Sequence, residues 1–263
     1  MRRFAALGRD VAPIAFGSFK IGRNEGIKYA KGYELPSMEE SRALLHAVCD
    51  LGIDIIDTAP AYGLAEARIG QALIARREAV VIATKVGERF ANGRSEYDFS
   101  HAAVERSVRE SMQRLCTDRL DIVHVHSDGS DLAILRDGGA IAALEDARAR
   151  GHVGVIGFSP KTADGAMACL GDARIASLMV EYHPRDTSMS GVMDRCRSQD
   201  IAVLVKKPLA SGTIPPEEAI PFVLAHPAVT AAVAGSLRIE HLQEIAGLAG
   251  MERPRLPHQR LLP

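Results

Sequence analysis

Short apolar runs rich in valine, isoleucine and alanine alternate along the chain with longer tracts whose apolar positions recur every three or four residues. The runs at 11–17, 53–56, 79–84, 120–125, 153–158, 176–182, 201–205 and 229–234 predict strands. Most are apolar at successive positions and do not alternate with polar residues, as a strand buried on both faces requires. Between them, helical spacing predicts helices at 37–51, 65–76, 100–115, 135–150, 162–170, 191–198, 217–224 and 239–248. The start and stop signals are local. Ser37 with Glu40 makes a capping box, Leu44, Leu45, Val48 and Leu51 share one face, Gly52 follows at the stop, and Ser100 can cap the helix carrying Val104 and Val108. Eight strand–helix units with no Ser/Gly-rich linker predict an α/β fold, a (β/α)8 TIM barrel in a single domain over 1–263, in preference to a doubly wound sheet. The tail at 251–263, with three prolines and three arginines, is expected to be a C-terminal surface extension.

Composition narrows the function classes. A length of 263 residues suits one such barrel, and a formal net charge of −1 without long charge runs gives no reason to expect nucleic acid or an anionic membrane. A small, roughly neutral molecule is the expected partner. Cys49, Cys116, Cys169 and Cys196 lie far apart with no CxxC or Cys/His cluster, so they read as reduced residues in a cytosol, with neither a disulfide framework nor a zinc ribbon. The basic N-terminus is broken by Arg9 and Asp10 before any signal or membrane segment can form, so a cytoplasmic location is expected.

Chemistry enters at the strand ends. In a (β/α)8 barrel the site forms at the C-terminal ends of the strands, where polar residues that close an apolar run are aimed at one pocket. Three adjacent strands close on Asp57, Lys85 and His126, and Tyr62 follows the first of these within one turn. Each residue alone has a plain structural role: Asp57 as a helix cap, Tyr62 as loop packing, Lys85 as a solvated charge, His126 as a hydrogen-bonded filler. Together they suit proton transfer to a carbonyl oxygen. A phenol has an ordinary pKa of about 10, too high for efficient acid–base work near neutrality. An ammonium beside it is expected to lower that value, and a buried carboxylate would keep the ammonium charged. The histidine could then hydrogen-bond the carbonyl oxygen. Such a positioned group contributes ~10²–10⁴-fold, so a hydride donor must supply the rest.

The stretch GIDIIDTAPAYGLAEARIG around Asp57 and Tyr62, TKVG at Lys85, and DIVHVHSDG at His126 resemble the signatures of the aldo-keto reductases. RLCTDRLDIVHVH, GVIGFSP, EYHP and GSLRIEHLQE extend the likeness over nearly the whole chain in order, and YDFSHAAVERSVRESMQRL is similar to the sugar and aldose dehydrogenase branch. The resemblance implies a nicotinamide-dependent oxidoreductase interconverting a carbonyl (aldehyde, ketone or aldose) and an alcohol or lactone. It makes Asp57, Tyr62, Lys85 and His126 the catalytic set, with Tyr62 as proton donor and NADP(H) or NAD(H) as hydride carrier. It further implies a cofactor site from Gly17, Ser18, Asp57, Ser159, Lys206, Pro208, Leu209, Ser211, Gly235, Ser236, Arg238, His241 and Glu244. In that site Arg238 could reach an adenosine 2′-phosphate, which favours NADP(H). The chain departs from the family pattern at three places: Pro160 stands for an asparagine, Met179 for a glutamine, and Lys206 for the aromatic that stacks on the nicotinamide.

Two further readings stay open. His124 and His126 form an HxH pair on one strand face that Lys85, His183 and Asp57 could complete as the metal cluster of a barrel hydrolase, although the leading reading assigns no metal. Alternatively, the departures at Pro160, Met179 and Lys206 suit a regulatory, cofactor-binding homologue without turnover. The loops at 20–35, 87–99 and 127–131 are expected to set specificity. The polar content of the last two, with Arg89, Arg94, Glu96, Tyr97, Asp98 and Asp128, suits a hydroxylated or sugar-like substrate.

Overall fold

The computed structural model describes residues 1–27 and 32–251. Eight parallel strands close into a barrel in the order β3 (Ile14–Gly17), β4 (Ile55–Asp57), β5 (Val81–Val86), β8 (Leu120–His126), β9 (Val153–Ser159), β10 (Ile175–Glu181), β11 (Ala202–Lys206) and β12 (Val229–Ala234). The first and last pair through Ala232 with Ile14 and Ala234 with Phe16. Around them run α1 (Met38–Asp50), α2 (Ala65–Leu73), α3 (His101–Arg114), α4 (Asp131–Asp137), α5 (Gly139–Ala149), α6 (Ala163–Cys169), α7 (Ser190–Ser198), α8 (Pro216–Ala225) and α9 (Ile239–Leu248). The capping box at Ser37 and Glu40 and the Ser100 cap both form.

The period-two alternation of a strand divides the core. Ala15, Ile55, Val81, Ala83, Ile122, Val155, Met179, Ala202, Leu204 and Ala231 fill the barrel, whereas the intervening Phe16, Ile56, Ile82, Val123, Ile156, Leu178, Val203 and Ala232 pack under the helices. One consequence governs the site. On β4 the inward residues are Ile55 and Asp57, on β5 Val81, Ala83 and Lys85, on β8 Ile122, His124 and His126, so the polar strand-end residues share the inward face of apolar neighbours.

Several sequence expectations are corrected. The first run is split: Val11 ends a hairpin of β1 (Arg2–Phe4) and β2 (Arg9–Val11), whose Phe4 and Val11 join the barrel-interior cluster, and the barrel strand begins at Ile14. The tract at 135–150 is two helices broken at Gly138, which takes φ +72°. The tract at 65–76 is α-helical only to Leu73 and continues as 3₁₀ turns to Ala79. The loop at 87–99 holds a second hairpin, β6 (Glu88–Ala91) and β7 (Arg94–Tyr97). The 252–263 part of the expected tail, and 28–31 of the first loop, lie outside the described residues.

Candidate active site

Asp57 is the last residue of β4, paired in register with Gly17 of β3 on one side and Ala83 of β5 on the other. Two residues beyond Ala83, Lys85 points inward from β5 and is 1% exposed. Its Nζ donates to Asp57 Oδ1 at 2.5 Å and to the Thr58 carbonyl at 2.8 Å. Burial alone would lower the amine, but the Asp57 carboxylate holds it above its ordinary value, while burial pushes the Asp57 carboxyl up against the pull of Lys85.

After β4 the chain turns through a short 3₁₀ segment, Pro60–Tyr62, that brings the phenol back over the barrel mouth. Lys85 Nζ lies 4.7 Å from the centre of the Tyr62 ring. Phe19 and His126 meet that ring edge-on, with centroids 5.1 and 6.5 Å away. Gly63 and Gly22 fix the turn. Gly63 takes φ +60°, and a Cβ on Gly22 would lie 2.0 Å from the Tyr62 carbonyl oxygen. The expected lowering of the phenol is not met: burial pushes Tyr62 up to about 12, against the pull of Lys85. Desolvating a phenolate here costs more than one neighbouring ammonium returns, so the resting group is a protonated donor.

His126 ends β8 in register with Ser159 of β9. Its Nδ1 is 2.7 Å from Glu88 Oε2. Burial lowers the imidazole and Glu88 opposes that. Burial likewise pushes the Glu88 carboxyl up, but His126, Ser95 and Lys161 together outweigh it and hold the acid down at about 2. Glu88 was not among the residues singled out from sequence. The signal was Asn92-Gly93: both take positive φ, 53° and 76°, as a two-residue hairpin turn requires, and the hairpin swings Glu88 over His126. The same hairpin pairs several of its own charges. Arg89 and Arg94 pair with Glu96 on the outward face.

His124, two residues earlier, belongs to a lower layer. Its Nε2 lies 3.0 Å from Ser177 Oγ, and its ring occupies the space a Cβ at Gly157 would fill. Burial lowers it to about 3. His183 is held elsewhere, pairing its backbone with Asp186 and placing Nε2 3.4 Å from Glu181. Among the described residues no three His, Cys, Asp or Glu side chains come together as metal ligands. The HxH reading therefore finds no cluster.

On the other side of the mouth, Lys206 ends β11 and reaches past β10 to donate to Ser159 Oγ at 3.0 Å and the Pro160 carbonyl at 3.1 Å. Burial, with Lys207 and Lys85 nearby, lowers its amine to about 8. Met179 packs in the barrel interior and presents no polar group. Pro208 is buried, and Leu209 and Ser211 lie in a tight loop in which Lys207, Ala210 and Ser211 take positive φ. Gly235 packs against Gly17, whose oxygen a Cβ there would approach to 2.6 Å. Ser236 Oγ accepts from the Arg238 backbone and contacts His241 Nδ1 at 3.2 Å. Arg238, His241 and Glu244 stand exposed at the start of α9. Two buried hydroxyls, Ser18 Oγ and Thr58 Oγ1, lack partners among the described residues.

Residues 13–219 match the model of the Aldo/keto reductase family. The chain belongs to that family. Membership of that family supports an oxidoreductase. D-threo-aldose 1-dehydrogenase from a Pseudomonas species is 30% identical over 199 residues, covering 67% of this chain but only 58% of that protein. L-galactose dehydrogenase from Arabidopsis thaliana is 29% identical over 234 residues, 82% of this chain and 69% of the other. A solved structure from Pseudomonas aeruginosa, assigned to the aldo-keto reductases, superposes with a TM-score of 0.86 at 38% identity over 94% of both chains. Among the described residues of this aldo/keto reductase, no helix is long and apolar enough to cross a membrane.

Proposed function

We propose that the chain interconverts a carbonyl (aldehyde, ketone or aldose) and an alcohol or lactone with a nicotinamide cofactor, NADP(H) in preference to NAD(H). The observation that carries this is the convergence of Lys85, paired to Asp57 at 2.5 Å, with the ring of Tyr62 and the imidazole of His126 at one barrel mouth. In reduction the Tyr62 hydroxyl gives its proton to the substrate's carbonyl oxygen. The Lys85 ammonium stabilises the phenolate left behind, Asp57 holds Lys85 charged and fixed, and His126 hydrogen-bonds the same oxygen.

The residues on the far side fit a dinucleotide. The Ser18 and Thr58 hydroxyls, without partners among the described residues, the Ser159–Lys206 pair and the tight loop at 208–211 offer donors, and the start of α9 with Arg238 offers an anion site for a 2′-phosphate. Bound there, the cofactor supplies hydride. The names of the sugar-oxidising relatives favour a hydroxylated substrate such as an aldose. The position of Lys206, seated on Ser159 and Pro160, motivates a second reading, a cofactor-binding homologue without turnover.

One experiment separates them. NADPH should bind, seen as a change in its fluorescence and as protection against unfolding, and should be consumed with an aldehyde or aldose. Tyr62→Phe should cut turnover by about a hundredfold or more while leaving cofactor affinity within about twofold, because the hydroxyl acts in the proton-transfer step. Binding without turnover over a broad carbonyl panel, unchanged by Tyr62→Phe, would establish the second reading, and no binding would overturn both.

A further inference from the structure

Glu88 lies three residues beyond Lys85, and the fold builds its position from several sides. Gly87 takes φ +95°, turning the chain out of β5, and Phe99 fills the space its side chain would need. Within the hairpin, Glu88 stands opposite Tyr97, and Ser95 Oγ donates to Glu88 Oε1 at 2.5 Å. The hairpin is pinned to the tyrosine turn. Arg23 stacks its guanidinium 3.3 Å from the centre of the Phe90 ring and donates to the Ala61 carbonyl at 3.1 Å. The carboxylate so placed is 10% exposed and sits 2.7 Å from His126 Nδ1, itself on a side chain 19% exposed. The contact is close but off the ring N–H axis, which makes it an ion-pair contact more than an aligned hydrogen bond. With Nδ1 turned to Glu88, Nε2 is the ring nitrogen left for a ligand.

The charges around the imidazole make this carboxylate matter. Lys85 from β5 and Lys206 from β11 both disfavour its protonated form, whereas burial keeps His124 in the lower layer neutral. Asp57 is in electrostatic reach but is committed to Lys85, and Tyr62 presents a neutral ring edge-on. Glu88 alone among these is a negative group in contact with the ring.

We propose that Glu88 is a positioning residue for His126, holding the imidazole through Nδ1 so that Nε2 faces the substrate oxygen and supplying the counter-charge that favours the ring's protonated form between two ammoniums. The proposal rests on the role given to His126 above. Only the protonated ring carries an N–H on both nitrogens, so by favouring that form Glu88 makes Nε2 a donor to the developing alkoxide. It also couples the second hairpin to the chemistry, because loosening the Asn92-Gly93 turn would withdraw the carboxylate.

The test is the titration of His126 in the cofactor-free enzyme, followed by its imidazole NMR signals and assigned by their loss in His126→Gln. Glu88→Gln should lower the His126 midpoint so that proton affinity falls about tenfold or more, and Glu88→Asp should restore part of it. The acidic limb of the kcat/KM profile for carbonyl reduction should move the same way. An unchanged midpoint in a folded Glu88→Gln enzyme would overturn the proposal. A shifted midpoint with an unchanged rate profile would uphold the pairing and instead remove His126 from the proposed reaction. If Glu88→Gln fails to fold, Glu88→Ala carries the measurement, and a midpoint equal to that of the parent enzyme would then refute the pairing.

Discussion

Asp57→Asn should leave Lys85 as an unpaired ammonium inside the barrel. The two side chains are 2% and 6% exposed and their charged atoms are 2.5 Å apart. At an effective dielectric of about 20, that separation corresponds to an attraction of ~7 kcal/mol. Part of it offsets the cost of taking both ions out of water, so removing one partner should destabilise the fold by about 3–5 kcal/mol near pH 7. The pH dependence follows from the direction of the lysine shift. In the parent protein the amine is held above its ordinary value, so the pair's contribution is full below the unfolded-chain value of about 10.4 and is lost as pH rises through the folded value. In the variant, burial, the largest influence on the amine, loses its main opponent and should lower it. The penalty is then full below that lowered value and vanishes once the unfolded chain also sheds the proton. The stability gap should therefore narrow on going from pH 7 to pH 10. Urea unfolding at both pH values measures it, with Lys85→Met/Asp57→Leu as a control expected to recover much of the loss. A gap below about 1 kcal/mol at pH 7, or one of equal size at both pH values, would refute the reasoning.

Two further outcomes probe the scaffold beneath the site. Glu66 of α2 is fully buried and accepts from Thr84 Oγ1 at 2.6 Å, Ser111 Oγ at 3.2 Å and Arg114 Nε at 2.8 Å, tying α2 to β5 and α3. Glu66→Ala should cost about 2–4 kcal/mol in chemical unfolding, and a loss under about 1 would mean water replaces the carboxylate at no penalty. A Cβ at Gly157 would lie 2.4 Å from His124 Cδ2 and 2.8 Å from the Ser177 carbonyl oxygen. Gly157→Ala should destabilise by about 1–3 kcal/mol, partly relieved by adding His124→Ala; a neutral single substitution would show the barrel interior to be looser than the contacts describe.

The residue pattern by itself determined the barrel, because a strand buried on both faces must be apolar throughout and its helix must be amphipathic, and both signals are local. Strand ends at Asp57, Lys85 and His126 were legible for the same reason: each interrupts an apolar run. Likewise, the capping box at Ser37 and the α9 span at 239–248 depend only on neighbours a few residues away. The tertiary structure decided what no local signal encodes. Whether Tyr62 is pushed down by Lys85 or up by burial depends on how much water the closed mouth excludes, and burial wins. His124 and His126 each follow a valine on one strand face, yet barrel depth gives one to Ser177 and the other to the site. Glu88 reads as one more loop charge until the Asn92-Gly93 turn folds it back onto His126. That contact joins residues 38 positions apart in the chain, and only the closed barrel with its hairpin brings them within 2.7 Å.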